Sequence, residues 1–104
     1  MDWIRSMQNA INYIEDNLLE EIDYDEVAKS AHSSTYHFQK LFHMMTGFTL
    51  GEYIRNRRLT LAAQELSLSD MKITDIAFKY GYSTSEAFTK AFYRMHKITP
   101  SAAK

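Results

Sequence analysis

Two short stretches of the chain place hydrogen-bonding side chains between phenylalanines that are four residues apart. Residues 38–42 read Phe-Gln-Lys-Leu-Phe, and residues 88–92 read Phe-Thr-Lys-Ala-Phe. Amide, hydroxyl and ammonium groups with no base beside them are suited to hydrogen bonding and charge pairing rather than to bond making. The chemistry that these stretches offer is therefore recognition of a partner.

Side chains for catalysis or metal binding do not form a matching set. The absence of cysteine excludes disulfide frameworks, thiolate zinc sites and Cys nucleophiles, and it fits a reducing, intracellular setting. Of the four histidines, His37 and His43 are six apart, which puts them on different sides of one helix, and no carboxylate completes a ligand set. The chain also lacks a phosphate-binding glycine loop and a Ser nucleophile elbow. We expect neither enzymatic activity nor a metal or cofactor.

The composition indicates a small helical protein. With 104 residues, 45% of them hydrophobic, the chain is long enough for one domain or two small halves. Three glycines and one proline leave little room for the turns of a many-stranded sheet. No apolar run approaches the ~18 residues of a membrane span, and the N-terminus does not resemble a signal peptide. We expect an all-α, cytoplasmic domain with no membrane contact.

Charge is distributed unevenly. Residues 1–26 contain eight acids and one base, whereas residues 27–104 contain eleven bases and five acids, although the net charge of the chain is only −1. This asymmetry is typical of a protein with one electrostatically biased face. A solvated acidic first helix on a mixed-charge domain explains the same counts.

Apolar spacing and capping residues predict the helices of the first half. An amphipathic stripe predicts a first helix ending near Leu19, with these residues inward: Trp3, Ile4, Met7, Ile11, Ile14 and Leu18. Asp23 caps a short second helix, which ends around residues 31–32. A third begins after Ser33-Ser34 and ends at Gly47, with Phe38, Leu41, Phe42 and Met45 inward.

The second half begins with a longer helix. The Thr49-x-x-Glu52 capping box opens it, and it extends over about residues 50–67. A short helix over about 72–80 and a turn at Gly81 follow. Another capping box, Ser83-x-x-Glu86, then opens a helix whose inward residues are Ala87, Phe88, Ala91, Phe92 and Met95. Thr99-Pro100 predicts the start of a last helix.

The chain repeats itself. Val27-Ala28 matches Ile76-Ala77 at an offset of 49, and Phe38-x-x-x-Phe42 matches residues 88–92 at an offset of 50. Each copy is a short helix, a tight turn and a second helix, which is the helix-turn-helix plan. In that plan the small alanine lies where the helices cross, and the outer side of the second helix is free to enter a DNA major groove ~12 Å wide. A helical hairpin repeat that simply builds a bundle is the alternative.

Specific motifs carry a resemblance to a known family. Within residues 42–59 the chain reads Phe-x-x-x-x-Gly and then Gly-Glu-Tyr-Ile-Arg-x-Arg-Arg-Leu. Within residues 73–100 it reads Ile-x-x-Ile-Ala-x-x-x-Gly-Tyr, Phe-x-x-x-Phe and Ile-Thr-Pro. With these motifs the chain closely resembles the DNA-binding domain of AraC/XylS transcription regulators over nearly its whole length. It departs from the family pattern at His32 and Lys97, where glycine is usual.

The resemblance implies a fold and a function. The fold would be seven helices, with helix-turn-helix subdomains over 1–48 and 68–104 and a linker helix over 49–67. The second helix of each subdomain would lie in the major groove of double-stranded DNA, about one helical turn (~34 Å) apart, and read its sequence to regulate bacterial transcription. Activators of this family also contact RNA polymerase. Because the resemblance begins near residue 1, we expect any effector or dimerisation domain to follow residue 104, in a longer regulator.

The expected base-reading residues lie on the second helix of each unit. With the phenylalanines inward, the first of these helices turns its polar residues outward; glutamine suits adenine, and lysine suits guanine or phosphate. By resemblance, the base-reading positions are Tyr36, Gln39 and Lys40, and in the second unit Ser85, Glu86, Thr89 and Lys90. Glu86 either accepts a hydrogen bond from cytosine N4 or completes its capping box, and both interpretations stay open.

Backbone contacts are expected from cations and from helix N-termini. Such contacts position a protein on DNA without reading its sequence. The candidates are Ser34, Thr35, His43, Arg55, Arg57, Arg58, Lys79, Ser83, Thr84, Arg94 and Lys97. For any one of the cations, a solvated surface charge is an equally good explanation. A helical protein–protein interaction module is the rival function, and it predicts no salt-dependent affinity for DNA.

Overall fold

Seven helices form the part of the chain that the structure describes. The computed structural model describes residues 2–104, and in this range all regular structure is helical. The helices are α1 (Trp3–Asp16), α2 (Tyr24–Ser30), α3 (Thr35–Thr46), α4 (Leu50–Leu68), α5 (Ile73–Lys79), α6 (Ser85–His96) and α7 (Pro100–Ala103). The all-α, seven-helix prediction is confirmed. Two compact units are present, one ending at Ile54 and the other comprising Arg55–Lys104, so their boundary lies within α4.

The first unit packs α1 on α2 and α2 on α3. Its buried side chains come from α1, α2 and α3, from the residues just after α1 and α2, and from the start of α4: Met7, Ala10, Ile14, Leu18, Val27, Ala28, Ala31, Phe38, Phe42, Leu50 and Ile54. The rings of Phe38 and Phe42 are 5.8 Å apart, and Tyr53 meets Phe42 edge-on. The phenylalanine pair therefore holds one side of α3 in the core, as its spacing predicts.

The second unit has a matching core. Its buried residues are Leu59, Ala62, Leu66, Ile76, Ala77, Tyr80, Phe88 and Phe92. The rings of Phe88 and Phe92 are 5.6 Å apart, and the ring of His96 lies 4.4 Å from that of Phe92, tilted by 51°. The His96 Nε2 atom lies 3.1 Å from the carbonyl of Leu59, to which a ring N–H donates, so α6 is also tied to α4 by a hydrogen bond.

Both short helices end in the same turn. The N–H of Ser33 donates to the carbonyl of Ala28, and the N–H of Tyr82 donates to that of Ala77, each at 3.0 Å. These bonds define a Schellman motif, in which the residue after the C-cap takes a left-handed conformation. That residue is His32 in the first unit, with φ 56°, and Gly81 in the second, with φ 91°.

The burial of side chains repeats along with the fold. From residue 36 to 50 and from 86 to 100, the order of buried, half-buried and exposed positions is the same at every step. The ends repeat as well: Gly47 and Lys97 both cap their helices with positive φ, 79° and 65°. The departures from the family pattern at His32 and Lys97 are thus positive-φ positions that carry side chains.

Several expectations about individual side chains are wrong. Trp3, Met45 and Met95 were expected inward but are 45%, 41% and 37% exposed, and Ile4 and Ala87 are also exposed. Each lies near the end of its helix. The capping box at Ser83 is wrong too, because α6 begins one residue later and Thr84 accepts from the N–H of Ala87 at 3.1 Å.

Candidate nucleic-acid interface

The outer face of α3 gathers the expected base-reading residues of the first unit. Thr35, Tyr36, Gln39 and Lys40 together line one shallow concavity on this face. Tyr36 is 77% exposed, although it is a large aromatic residue, and Lys40 is exposed as well. The opposite side of α3 is anchored by the two buried phenylalanines. The helix therefore presents a ring, an amide and an ammonium group on one free surface.

The outer face of α6 is built in the same way. Glu86 and Lys90 are exposed, and Ser85 and Thr89 are half-buried, in step with the corresponding positions of α3. Since Thr84 caps this helix, Glu86 lies at its second residue and not at the third, where a capping-box glutamate reaches back to the cap. The geometry thus removes the capping-box explanation for Glu86 and leaves its carboxylate on the outer face.

The first turn of α3 is fixed by two hydrogen bonds. The Ser34 hydroxyl accepts from the N–H of His37 at 3.2 Å, as an N-cap should. The Thr35 hydroxyl donates to the carboxylate of Asp25 on α2. Asp25 therefore holds the start of α3 against the preceding helix, a role that the sequence analysis missed. Its position ten residues before Thr35 follows no local pattern that would have revealed it.

Lys79 is engaged inside its own unit. Its ammonium group donates to Glu65 of α4 and pairs with it in a salt bridge. This hydrogen bond raises the pKa of Lys79 above the ordinary 10.5, whereas desolvation acts in the opposite direction. The second oxygen of Glu65, Oε2, is buried without a hydrogen-bond partner among the described residues. A phosphate at Lys79 would have to compete with this carboxylate.

Two arginines of α4 lie near the turn of the second unit. A Cβ at Gly81 would stand 3.8 Å from the Nη1 atom of Arg58. Burial raises the pKa of Tyr82, the next residue, and the positive charges of Arg55 and Arg58 act in the opposite direction. The Tyr82 ring meets Phe88 edge-on at 5.5 Å. The turn that leads into α6 is thus flanked by guanidinium groups.

Of the remaining backbone candidates, all but Arg57 lie at or beside helix ends. His43 and Arg94 are exposed in the last turns of α3 and α6, and Lys97 caps α6. Ser83 is exposed before the cap of α6, and Arg57 is half-buried on α4. These residues are accessible in the folded chain.

Within residues 2–104, the His, Asp and Glu side chains form no group of three or more that could hold a metal ion. Over the same range, no helix is both long and apolar enough to cross a membrane.

Comparison with known proteins gives a consistent picture. A family model described as a helix-turn-helix domain matches residues 27–104. The regulatory protein SoxS of Salmonella typhimurium is 40% identical over 95 residues, which cover 91% of this chain and 89% of SoxS. The transposon Tn10 TetD protein of Escherichia coli is 42% identical over 95 residues, or 91% of this chain and 69% of TetD.

Solved structures show the same fold. A transcriptional regulator from Chromobacterium violaceum, described as containing an AraC-type DNA-binding domain, superposes with a TM-score of 0.90 at 24% identity, covering 96% of this chain and 89% of that one. The DNA-binding domain of AdpA, solved in complex with a target DNA, superposes with a TM-score of 0.83 at 23% identity, covering 93% and 87%. At these identities the structural similarity shows only that the fold is shared.

Proposed function

Because the chain belongs to the AraC-type family of helix-turn-helix transcription regulators, we propose that it binds specific double-stranded DNA sequences and thereby regulates bacterial transcription. The observation that carries the proposal is the duplicated unit. Each copy buries one side of its second helix through a phenylalanine pair and leaves a polar opposite side free. A helix anchored in this way is suited to insertion into a major groove.

Reading of bases is assigned to α3 and α6. Tyr36, Gln39 and Lys40 read one groove segment, and Ser85, Glu86, Thr89 and Lys90 read the adjacent one. Because the two sets differ in residue type, a single chain reads an asymmetric site. We assign the functional subdomains to 1–48 and 68–104, with 49–67 as the linker.

Contacts with the DNA backbone are part of the same proposal. Ser34 and Thr84 cap the two reading helices, whose first turns carry free N–H groups that suit phosphate. Arg55 and Arg58 flank the turn before α6 and supply positive charge there. Among the cations, Lys79 is the weakest candidate, because Glu65 already holds its ammonium group.

A protein partner is part of the proposal. RNA polymerase is the partner expected of an activator, and exposed apolar side chains at the ends of α3 and α6 (Met44, Met45 and Phe48; Tyr93, Met95 and Ile98) offer surface for it. Binding to a bacterial promoter places the protein in the cytoplasm. Retarded migration of the DNA complex on addition of polymerase tests this partner.

The main experiment is fluorescence anisotropy on a pool of ~25 bp duplexes at several salt concentrations. We expect affinity that falls steeply with salt, and a minority of duplexes that bind far more tightly. Replacing a base-reading residue, as in Lys40→Ala or Lys90→Ala, should cost about 1–3 kcal/mol. Lys29→Ala on α2 is the matched control, since that lysine is exposed and lies on neither reading helix.

Either of two results would contradict the proposal. Absence of binding at low salt would remove DNA as the partner and favour a protein-interaction module. Equal losses for Lys29→Ala and for the two reading-helix variants would show that charge alone is being measured, with no recognition by α3 or α6.

A further inference from the structure

A cleft in the first unit lies beside the start of α3. It has a volume of about 400 Å³ and is walled by α1, by the turn between α2 and α3, and by the first two turns of α3. This size falls within the range of small-molecule sites, which is roughly 300–1,000 Å³. The outer face of α3 with Gln39 and Lys40 is a separate surface.

The walls of the cleft are mostly apolar. Met7, Ala31 and Phe38 are buried core residues whose outer edges form its floor, and Leu41 is half-buried beside them. Trp3 stands at the rim with 45% of its surface exposed. Core packing does not require a large aromatic side chain at an exposed helix start, but a flat apolar ligand would cover it.

The polar groups at the rim include hydrogen-bond donors. The imidazoles of His32 and His37 both line the cleft, together with serine hydroxyls, and none of the lining residues is acidic. An imidazole always carries at least one ring N–H donor. An anionic group would therefore find partners at the rim, whereas a cation would find no carboxylate.

His32 is held in the cleft by an uncommon backbone conformation. Its φ is 56°, at the position where the second unit has Gly81. Left-handed residues that carry a side chain are strained, and such strain concentrates at functional sites. The one positive-φ residue of the first unit that carries a side chain thus lies in the wall of this cleft.

We propose that this cleft binds a small aromatic carboxylate, with the ring against Trp3, Met7 and Phe38 and the carboxylate at His32 and His37. The occupied cleft adds negative charge beside Ser34 and Thr35, the residues assigned to the DNA backbone, so the ligand weakens DNA binding. The effect on DNA binding rests on the proposed function, whereas the binding of the carboxylate does not.

Trp3 is the sole tryptophan of the chain, so its emission reports directly on the cleft. The probe is 3-phenylpropionate, titrated against the whole chain with selective excitation of tryptophan. We expect a saturable change in emission. The response to 3-phenylpropylamine, which has a similar phenylpropyl group and the opposite charge, should be weaker by roughly tenfold or more, because it forfeits the charge-assisted hydrogen bonds. No saturable change, or equal affinity for acid and amine, overturns the proposal.

His32→Gly tests the assigned donor without endangering the fold, because glycine prefers this backbone conformation. We expect it to weaken binding of 3-phenylpropionate by roughly tenfold. Lys97→Gly is the matched control, since it makes the same change at a positive-φ residue that does not line the cleft, and it should leave the affinity unchanged. Ser6→Leu, which fills the cleft from α1, should abolish the response. Unaltered binding in both His32→Gly and Ser6→Leu places the probe elsewhere and overturns the site.

The effect of the ligand on DNA affinity is measured by DNA anisotropy in the presence of 3-phenylpropionate. We expect a several-fold loss of DNA affinity in the wild type and none in Ser6→Leu. If DNA binds equally well with the cleft saturated, the regulation is wrong and the site stands. If no duplex binds under any condition, the proposed function fails and with it the regulation, while the tryptophan titration still decides the cleft.

Discussion

His32 and Gly81 occupy the same position in two copies of one turn. Both follow the C-cap residue of a short helix, both have positive φ, and the next residue in each donates at 3.0 Å to the alanine carbonyl five positions back. Only glycine adopts this conformation without cost. The first unit therefore carries strain at a place where the second carries none.

His32→Gly should stabilise the chain by about 1 kcal/mol, and Gly81→His should destabilise it by a similar or larger amount. The reason is the left-handed backbone, which penalises a Cβ in both units. Urea denaturation followed by circular dichroism measures both changes in the free energy of unfolding. His43→Gly is the control: because it places glycine inside a helix, it should destabilise the chain. A destabilised His32→Gly would show that the imidazole contributes more than its backbone costs.

Gly51 marks a close approach between α2 and α4. A Cβ at this position would lie 2.9 Å from the hydroxyl oxygen of Tyr24, too close to be accepted without movement. We expect Gly51→Ala to gain little in the wild type, because the tyrosine must shift. In a Tyr24→Phe background the same change should stabilise α4 by up to about 1 kcal/mol through helix propensity. The coupling in a double-mutant cycle is the measured quantity, and strict additivity of the two changes would contradict the contact.

The Glu65–Lys79 pair predicts a pH dependence. Its hydrogen bond raises the pKa of Lys79 above 10.5 in the folded chain. The stabilisation is therefore complete below that ordinary value and is lost as the pH rises through the folded-state pKa. Lys79→Met should lower the free energy of unfolding near neutral pH and change it progressively less in strong alkali. An effect of Lys79→Met that is as large in strong alkali as near neutral pH would refute the pair.

Glu86→Gln separates recognition from stability. Since Thr84 caps α6, the carboxylate of Glu86 contributes only its charge near the helix N-terminus, and its loss should cost about 0.5 kcal/mol. If the carboxylate accepts from cytosine, selection of duplexes by the variant should lose the preference for cytosine at one position. An unchanged set of selected duplexes would remove Glu86 from the reading surface.

Local signals predicted most of the fold. The Thr49–Glu52 capping box forms both of its hydrogen bonds, at 2.8 and 3.1 Å, and Thr99-Pro100 starts α7 as expected. These features depend on residues within one turn of each other, so the chain alone determines them. The two Phe-x-x-x-Phe pairs were predictable for the same reason.

The wrong or missing predictions concern caps and side chains whose environment is determined outside their own helical turn. Met45 and Met95 continue the apolar spacing of α3 and α6, but they lie near the ends of these helices and are exposed. At Ser83 the turn is one residue longer than in the first unit, and the cap moved with it to Thr84. The partners of Thr35 and Lys79, which are Asp25 and Glu65, depend on how helices pack and have no spacing rule.

The matching burial of residues 36–50 and 86–100 has a consequence for engineering. Because every buried position has a counterpart, the outward residues of α3 can be written onto α6 without touching the core. Such a chimera would carry the same DNA-contacting residues on both helices. It would select DNA in which the same short base sequence occurs in both halves of the site. Duplication of a gene segment, followed by divergence at the outward positions alone, would then suffice to change the preferred DNA site from a direct repeat into an asymmetric one.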